Sequence, residues 1–176
     1  MRRRLYVLLF TFILTGCVSV WGSGKRVVLP VPFNPQEDYY CGPSSLASVM
    51  QFYGKQINQH EIAREVYRKD LSGSIALDLM LYARKMGFRA ELIEGSIGLI
   101  ENSIDNGKPV IVLLDIGWFF YSRPHFAVVV GYDRGNDRVI INSGRSREKE
   151  YDRDEFIKMW KAMGSLILLV EPSDNK

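Results

Sequence analysis

The hydrophobic period of this chain changes near residue 87. Between about residues 41 and 86 apolar residues recur at helical spacing and helix punctuation falls where it should. A helix is expected from about Cys41 to Tyr53, with Pro43 in its first turn, where the missing N–H costs nothing, and Gly54 as its stop. Asn58 and Glu61 form a capping pair for a second helix through about Tyr67. Ser74 is read as the cap of a third, in which Ile75, Leu79, Tyr82 and Met86 fall near one face before Gly87 ends it. Beyond Gly87 the apolar runs shorten. Phe88 to Ile93 reads as a strand, Ile97 to Asp105 as a short helix, and Pro109 to Asp115 as a buried strand because Val110 to Leu114 is continuously apolar. His125 to Tyr132 and Arg138 to Asn142 are two further strands joined by the turn formers Asp133 to Asp137. A helix over Asp154 to Met163 and a strand over Ser165 to Val170 complete the pattern. Helices first and strands afterwards predict an α+β fold, a helical layer packed on a mostly antiparallel β-sheet.

One domain accommodates all of this, from about residue 27 to 171, with a polar tail over 172–176. With 47% hydrophobic and 24% charged residues, the chain can bury a sizeable core and is not of disordered or coiled-coil composition. Its first stretch, Val27 to Phe33, is extended, since Pro30, Pro32 and Pro35 each push the preceding residue out of the helical region.

The N-terminus reads as an address. Arg2, Arg3 and Arg4 precede the almost uninterrupted apolar run Leu5 to Gly16, whose twelve residues are too few to span a bilayer. Leu14-Thr15-Gly16-Cys17 resembles the lipobox of bacterial lipoproteins, which implies cleavage of a signal peptide over 1–16 and lipidation of Cys17. Residues 17–26 are then the lipidated cysteine and a tether, and the domain is expected at the bacterial cell envelope, extracytoplasmic, membrane-attached through Cys17. Val18 is not the aspartate associated with inner-membrane retention, so in a Gram-negative host the periplasmic side of the outer membrane is expected. Removing residues 1–16 lowers the basic count from 23 to 20, equal to the 20 acidic residues, so the formal charge of +3 belongs to the address. No acidic partner and no nucleic acid is expected from a chain so balanced. Two cysteines and two histidines at 17, 41, 60 and 125 offer no metal-ligand spacing, so neither a metal nor a cofactor is expected.

Chemistry concentrates in Pro35-Gln36-Glu37-Asp38-Tyr39-Tyr40-Cys41-Gly42-Pro43-Ser44. A thiol at a helix start faces unpaired N–H groups and the positive end of the helix dipole, which is expected to lower the pKa of Cys41. Gln36 can reach back over the helix start and offer an amide N–H to an oxyanion, alongside the N–H of Cys41. His125 opens an apolar strand and can stand at a sheet end as the base, whereas His60 opens a polar helix and reads as a solvated position. Asn142, at the end of the neighbouring strand, is the candidate to orient the imidazole. If the strands pair around a four-residue loop, Tyr132 to Gly135, positions 125 and 142 face each other; a tight turn at Gly135-Asn136 instead leaves Asn142 about four residues out of register and needs a bulge.

Gln36, Cys41-Gly42-Pro43-Ser44-Ser45-Leu46 and His125-Phe126-Ala127-Val128-Val129-Val130-Gly131-Tyr132-Asp133 resemble peptidase family C39 and its C39-like relatives, bacteriocin-processing and papain-like cysteine peptidases. The resemblance spans nearly all of residues 30–170 and includes Gly107-Lys108-Pro109-Val110-Ile111-Val112 ahead of the histidine strand. It implies a papain-like fold, a peptide or protein substrate, Cys41 as nucleophile, His125 as base and then acid, and Gln36 as oxyanion donor. The departure is at the third member, where Asn142-Ser143-Gly144 stands in place of the Asp-Pro of the bacteriocin-processing domains. With the sequence stopping at Lys176, the leader-peptide export role of transporter-linked relatives is not expected. The chain therefore reads as a lipid-anchored cysteine peptidase with a Cys-His-Asn type site. The alternatives are a non-catalytic papain-like binding or assembly module at the membrane, and a thiol acyltransferase.

Between the buried strand and His125 lie four consecutive aromatics, Trp118 to Tyr121. They either line the substrate cleft, which makes Trp118, Phe119 and Tyr121 with Gly42 candidate substrate-binding residues, or cover a core edge or touch membrane. The interleaved charges Arg145, Arg147, Glu148, Lys149 and Glu150 read as a solvated face.

Overall fold

A computed structural model describes residues 24–173. In chain order its elements are β1 (Arg26–Val28), α1 (Cys41–Phe52), α2 (Gln59–Val66), α3 (Ala76–Lys85), β2 (Phe88–Glu94), α4 (Ile97–Asp105), β3 (Val110–Asp115), β4 (Pro124–Asp133), β5 (Arg138–Ser143), β6 (Ser146–Asp152), α5 (Arg153–Lys161) and β7 (Leu166–Pro172). The strands form one sheet in the order β2-β7-β3-β4-β5-β6, with β1 added to the far end of β4. Every pairing is antiparallel. This is the α+β architecture the change of period predicts.

The sheet is covered on both faces. Against one face pack α1, α2 and α3, through Leu46, Val49, Met50, Ile62, Leu79 and Ala83, which meet Ile111, Phe126, Val128, Val130 and Ile140. Against the other pack α4 and α5, whose Ile100, Ile104, Phe156 and Trp160 meet Val110, Val112, Leu114, Ala127, Val129 and Ile141. The central strands β3 and β4 read as continuous apolar runs because both of their faces are dry. Helix α1 is buried from Gly42 through Met50 and is the pillar of the first layer.

Local signals act as expected at α2, where Asn58 accepts from the N–H groups of His60 and Glu61 and donates to Glu61. At α3 they do not. Ile75 holds the N-cap position with no side-chain cap, and the Ser74 hydroxyl is buried without a partner. The charged stretch after Asn142 is solvated, as expected, and forms strand β6, an exposed sheet edge whose alternating charges discourage pairing with another chain.

Of the two registers considered for β4–β5, the structure has the one centred on Gly135-Asn136, with its bulge, and not the one that sets His125 opposite Asn142. Asp133 accepts from both the backbone and side-chain N–H of Asn136, which places the turn at Arg134 to Asp137 and pairs Asp133 with Arg138. The register then shifts between Val129 and Gly131, leaving Val130 as the extra residue, and Asn142 falls opposite Val128 rather than His125. Gly131 is required at this point because β1 pairs alongside it; a Cβ there would lie 2.2 Å from the carbonyl oxygen of Val27. Gly131→Ala should therefore push β1 off β4 and cost about 1–3 kcal/mol in urea unfolding. Gly98→Ala on α4, where the added methyl meets nothing closer than 3.9 Å, should be neutral or slightly stabilising in the same assay.

Candidate active site

The chain before α1 is strapped onto the helix it leads into. Ser44 donates its hydroxyl to the carbonyl of Asn34 at 2.6 Å, and the Asn34 amide donates to Ser48 at 3.0 Å and Gln51 at 2.9 Å. Two residues on, the backbone N–H of Gln36 donates to the carbonyl of Gly144 at 3.0 Å, tying this segment to the β5–β6 turn. One small cavity results, in which Gln36, Cys41, Asn142, Ser143 and Gly144 come together above Val128. Gln36 turns its side-chain carbonyl into the protein, buried and with no partner. Such an orphan is costly, and a half-turn of the amide would exchange it for an N–H.

Cys41 is the first residue of α1 and packs against the first cluster. The backbone N–H groups of Phe126, Gly42 and Cys41 itself act on its sulfur, as does the positive charge of Arg123, and all favour the thiolate. Burial outweighs them and pushes the Cys41 thiol above its ordinary value. This corrects the lowered value expected from the helix dipole: the helix end is itself desolvated. Gly42 faces away from the cavity. A Cβ there would lie 3.0 Å from Leu79 and 3.3 Å from Phe126, so the glycine serves the close packing of α1 on α3 and β4.

His125, the second residue of β4, is buried and pairs with Leu114 of β3. Side chains alternate along a strand, so His125 shares a face with Ala127 and Val129. With Val128 opposite Asn142, the residue of β5 on that same face is Ser143, diagonal to His125. The imidazole Nε2 lies 3.0 Å from the Ser143 hydroxyl. Asn142 points to the other face, and its side-chain carbonyl accepts from the backbone N–H of Glu148 at 2.9 Å. Among the described residues Asn142 thus lies in the cavity with Cys41 and makes no hydrogen bond to the imidazole; Ser143 does. Among the described residues no hydrogen bond joins His125 to the Cys41 sulfur. Burial, and secondarily the charge of Arg123, lower the pKa of His125 from 6.5 to about 4. At neutral pH the resting pair is therefore a thiol and a neutral imidazole.

The aromatic candidates lie elsewhere. Trp118, Phe119 and Tyr121 line a groove against α5 and β6 and contribute nothing to the cavity at Cys41. His60 is half-exposed, its Nε2 3.0 Å from Glu37, one residue after Gln36. Among the described residues no cluster of His, Cys, Asp and Glu could hold a metal ion. Cys17 lies outside the described residues.

The imidazole has a measurable signature. Folded His125 takes up its proton only near pH 4, whereas the unfolded residue does so near 6.5, so the stability it confers is fully present above pH 6.5 and is lost as the pH falls towards 4. Urea unfolding should show His125→Gln losing less stability than wild type between pH 6.5 and pH 4, by about 3 kcal/mol. Ser143→Ala removes the hydrogen-bond partner of a buried ring nitrogen and should cost about 1–3 kcal/mol at pH 7.

Comparison with known proteins agrees with this architecture. In fold the chain is similar to a C39-like peptidase-family protein from Bacillus anthracis, with a TM-score of 0.71 and 21% identity over 86% of this chain and 100% of that one. It is similar to the peptidase domain of Streptococcus ComA, a bi-functional ABC transporter involved in quorum sensing, with a TM-score of 0.63 and 24% identity over 84% of this chain and 98% of that one. A double glycine motif protease from an AMS/PCAT transporter, solved with its leader peptide, gives a TM-score of 0.64 and 21% identity over 84% and 98% of the respective chains. No curated protein matches the chain. The family model described as Peptidase_C39 like family matches residues 28–168, and with the papain-like α+β fold, the buried histidine at the head of β4 and the cysteine at the head of α1, the chain belongs to that family.

Proposed function

We propose that this protein is a lipid-anchored, extracytoplasmic cysteine peptidase, cleaving a peptide or amide bond of a polypeptide substrate. The observation that carries the reading is the placement of Cys41, at the start of a buried helix, in one cavity with Gln36 and under the backbone N–H of Phe126, which immediately follows the buried His125. In the reaction the ring of His125, at the head of β4, turns from Ser143 towards the sulfur and accepts the thiol proton as Cys41 attacks the carbonyl carbon. The resulting oxyanion is held by the N–H of Cys41 and by the amide of Gln36, turned so that its nitrogen faces the cavity. Collapse breaks the C–N bond, His125 gives its proton to the leaving amine, and a thioester remains on Cys41. Water, deprotonated by His125, then releases the acid and restores the thiol. Ser143 holds the ring at rest, and Asn142 braces the β5–β6 turn that carries Ser143 and Gly144.

A neutral resting pair suits such a site as long as the base works during attack rather than before it. It also supports a second reading, a non-catalytic papain-like module, because the imidazole has its hydrogen bond to Ser143 and none to the sulfur. The two readings separate on a thiol-directed peptide electrophile. An enzyme labels at Cys41, with a rate that rises as the thiol ionises above pH 9, the ordinary value of a cysteine, and that falls about a hundredfold or more in His125→Ala. Labelling at a rate indifferent to His125 supports the module. Cleavage of peptides from an envelope extract should be abolished by Cys41→Ala. Cys17→Ser should remove the acyl anchor, read as loss of acyl labelling of the protein; labelling that persists in this variant would contradict anchoring at Cys17.

A further inference from the structure

Four consecutive aromatic side chains stand in solvent at the tip of the β3–β4 hairpin. Trp118 is 81% exposed, Phe119 82%, Phe120 100% and Tyr121 73%. They are held out rather than left loose. Trp118 and Tyr121 exchange both backbone hydrogen bonds at 3.0 Å, Ile116 donates to the carbonyl of Arg123 at 3.1 Å, and the Asp115 carboxylate accepts from the N–H groups of Gly117 and Arg123 at 2.8 Å each. Gly117 is needed for this turn, since a Cβ would lie 1.8 Å from the carbonyl oxygen of Tyr121. Phe119 sits at φ 55°, a backbone conformation that is unusual for a bulky side chain. The rings touch one another, Trp118 to Phe119 at 5.2 Å and Phe119 to Phe120 at 5.7 Å between centroids. A contiguous apolar patch of this kind marks an interaction site.

We infer that this tip inserts into the interfacial layer of the lipid bilayer that carries the protein, an inference that rests on the proposed acyl anchor at Cys17. The order of the side chains fits that occupant. Phe119 and Phe120 form the apex, while Trp118 and Tyr121, whose rings combine an apolar body with a polar group, flank them at the level suited to headgroups. Along the flank of the hairpin Asp115, Glu155, Lys149 and Lys158 balance in charge, so insertion is driven by apolar area and not by anionic lipid.

Geometry makes the attachment two-pointed. Gly24 lies beside Gly135 at the opposite end of β4 from the tip. Ten residues of β4 and the hairpin beyond it separate the two by about 40 Å. The seven peptide steps from Cys17 to Gly24 span at most about 25 Å. Both ends reach one bilayer only if the strands run within about 40° of the membrane plane. His125 then lies about 15 Å from the inserted apex, so the cleft addresses polypeptide at the membrane surface.

The test uses the acylated full-length protein carrying Trp21→Phe, in vesicles of phosphatidylcholine with part of the lipid brominated in its acyl chains. Trp118 is then the exposed tryptophan and buried Trp160 an internal reference. The expected result is that bromolipid lowers the emission by about twofold, independently of salt, and that the loss is abolished in Phe119→Ser/Phe120→Ser. Protein that floats with the vesicles while Trp118 stays unquenched overturns the insertion and leaves the anchor intact, turning the tip towards a protein partner. Protein that does not float overturns the anchor reading and this inference with it.

Discussion

The packing of the first turn of α1 against the first residues of β4 is the contact on which the rest of the structure depends. It places a thiol beside the backbone of the residue that follows His125, and it does so inside the core, because α1 is buried from Gly42 to Met50. Gly42 admits the close approach, and the strap from Asn34 through Ser44, Ser48 and Gln51 holds the preceding segment over the helix start. The cost of that placement is electrostatic. A helix end exposed to solvent would favour the thiolate, but a buried one desolvates the charge more than the helix N–H groups stabilise it.

Burial shapes the partner in the same sense. A histidine enclosed by the sheet and near Arg123 is kept neutral through the physiological range, which is the form a base must have before it accepts a proton. Cys41 and His125 are both held uncharged for the same physical reason. In the proposed reaction, charge separation is then left to the moment when a substrate carbonyl and the N–H groups around the cavity can share it.

Which residue steadies the imidazole is decided by one extra amino acid in β4. Before the bulge at Val130, side-chain parity sends Val128 and Asn142 to the α1 face and His125 and Ser143 to the other. A strand without the bulge would reverse one strand relative to the other. Asn142 keeps a structural task, accepting from Glu148 and so closing the β5–β6 turn whose Gly144 carbonyl receives Gln36. The two neighbours thus divide the work, one steadying the ring and the other shaping the cavity wall.

Much of this was legible in the order of the residues. Helical spacing before Gly87, dry apolar runs after it and the turn formers between them determined an α+β chain with its helices and nearly all its strands, because local period and punctuation reflect which faces must be buried. That Gln36 and Cys41 share one cavity was legible too, since only five residues separate them at the same helix start. Strand β6 was not, because an edge strand made of alternating charges has no apolar face to betray it. Nor could Ser143 be distinguished from Asn142: the run Val128-Val129-Val130 looks alike in every register, and only the pairing of β1 with Gly131 and the Asp133 turn set where the extra residue goes. The protonation states were likewise decided by tertiary structure, since the sequence determines which groups stand at a helix end or a strand head, while the depth at which they are buried depends on everything packed around them.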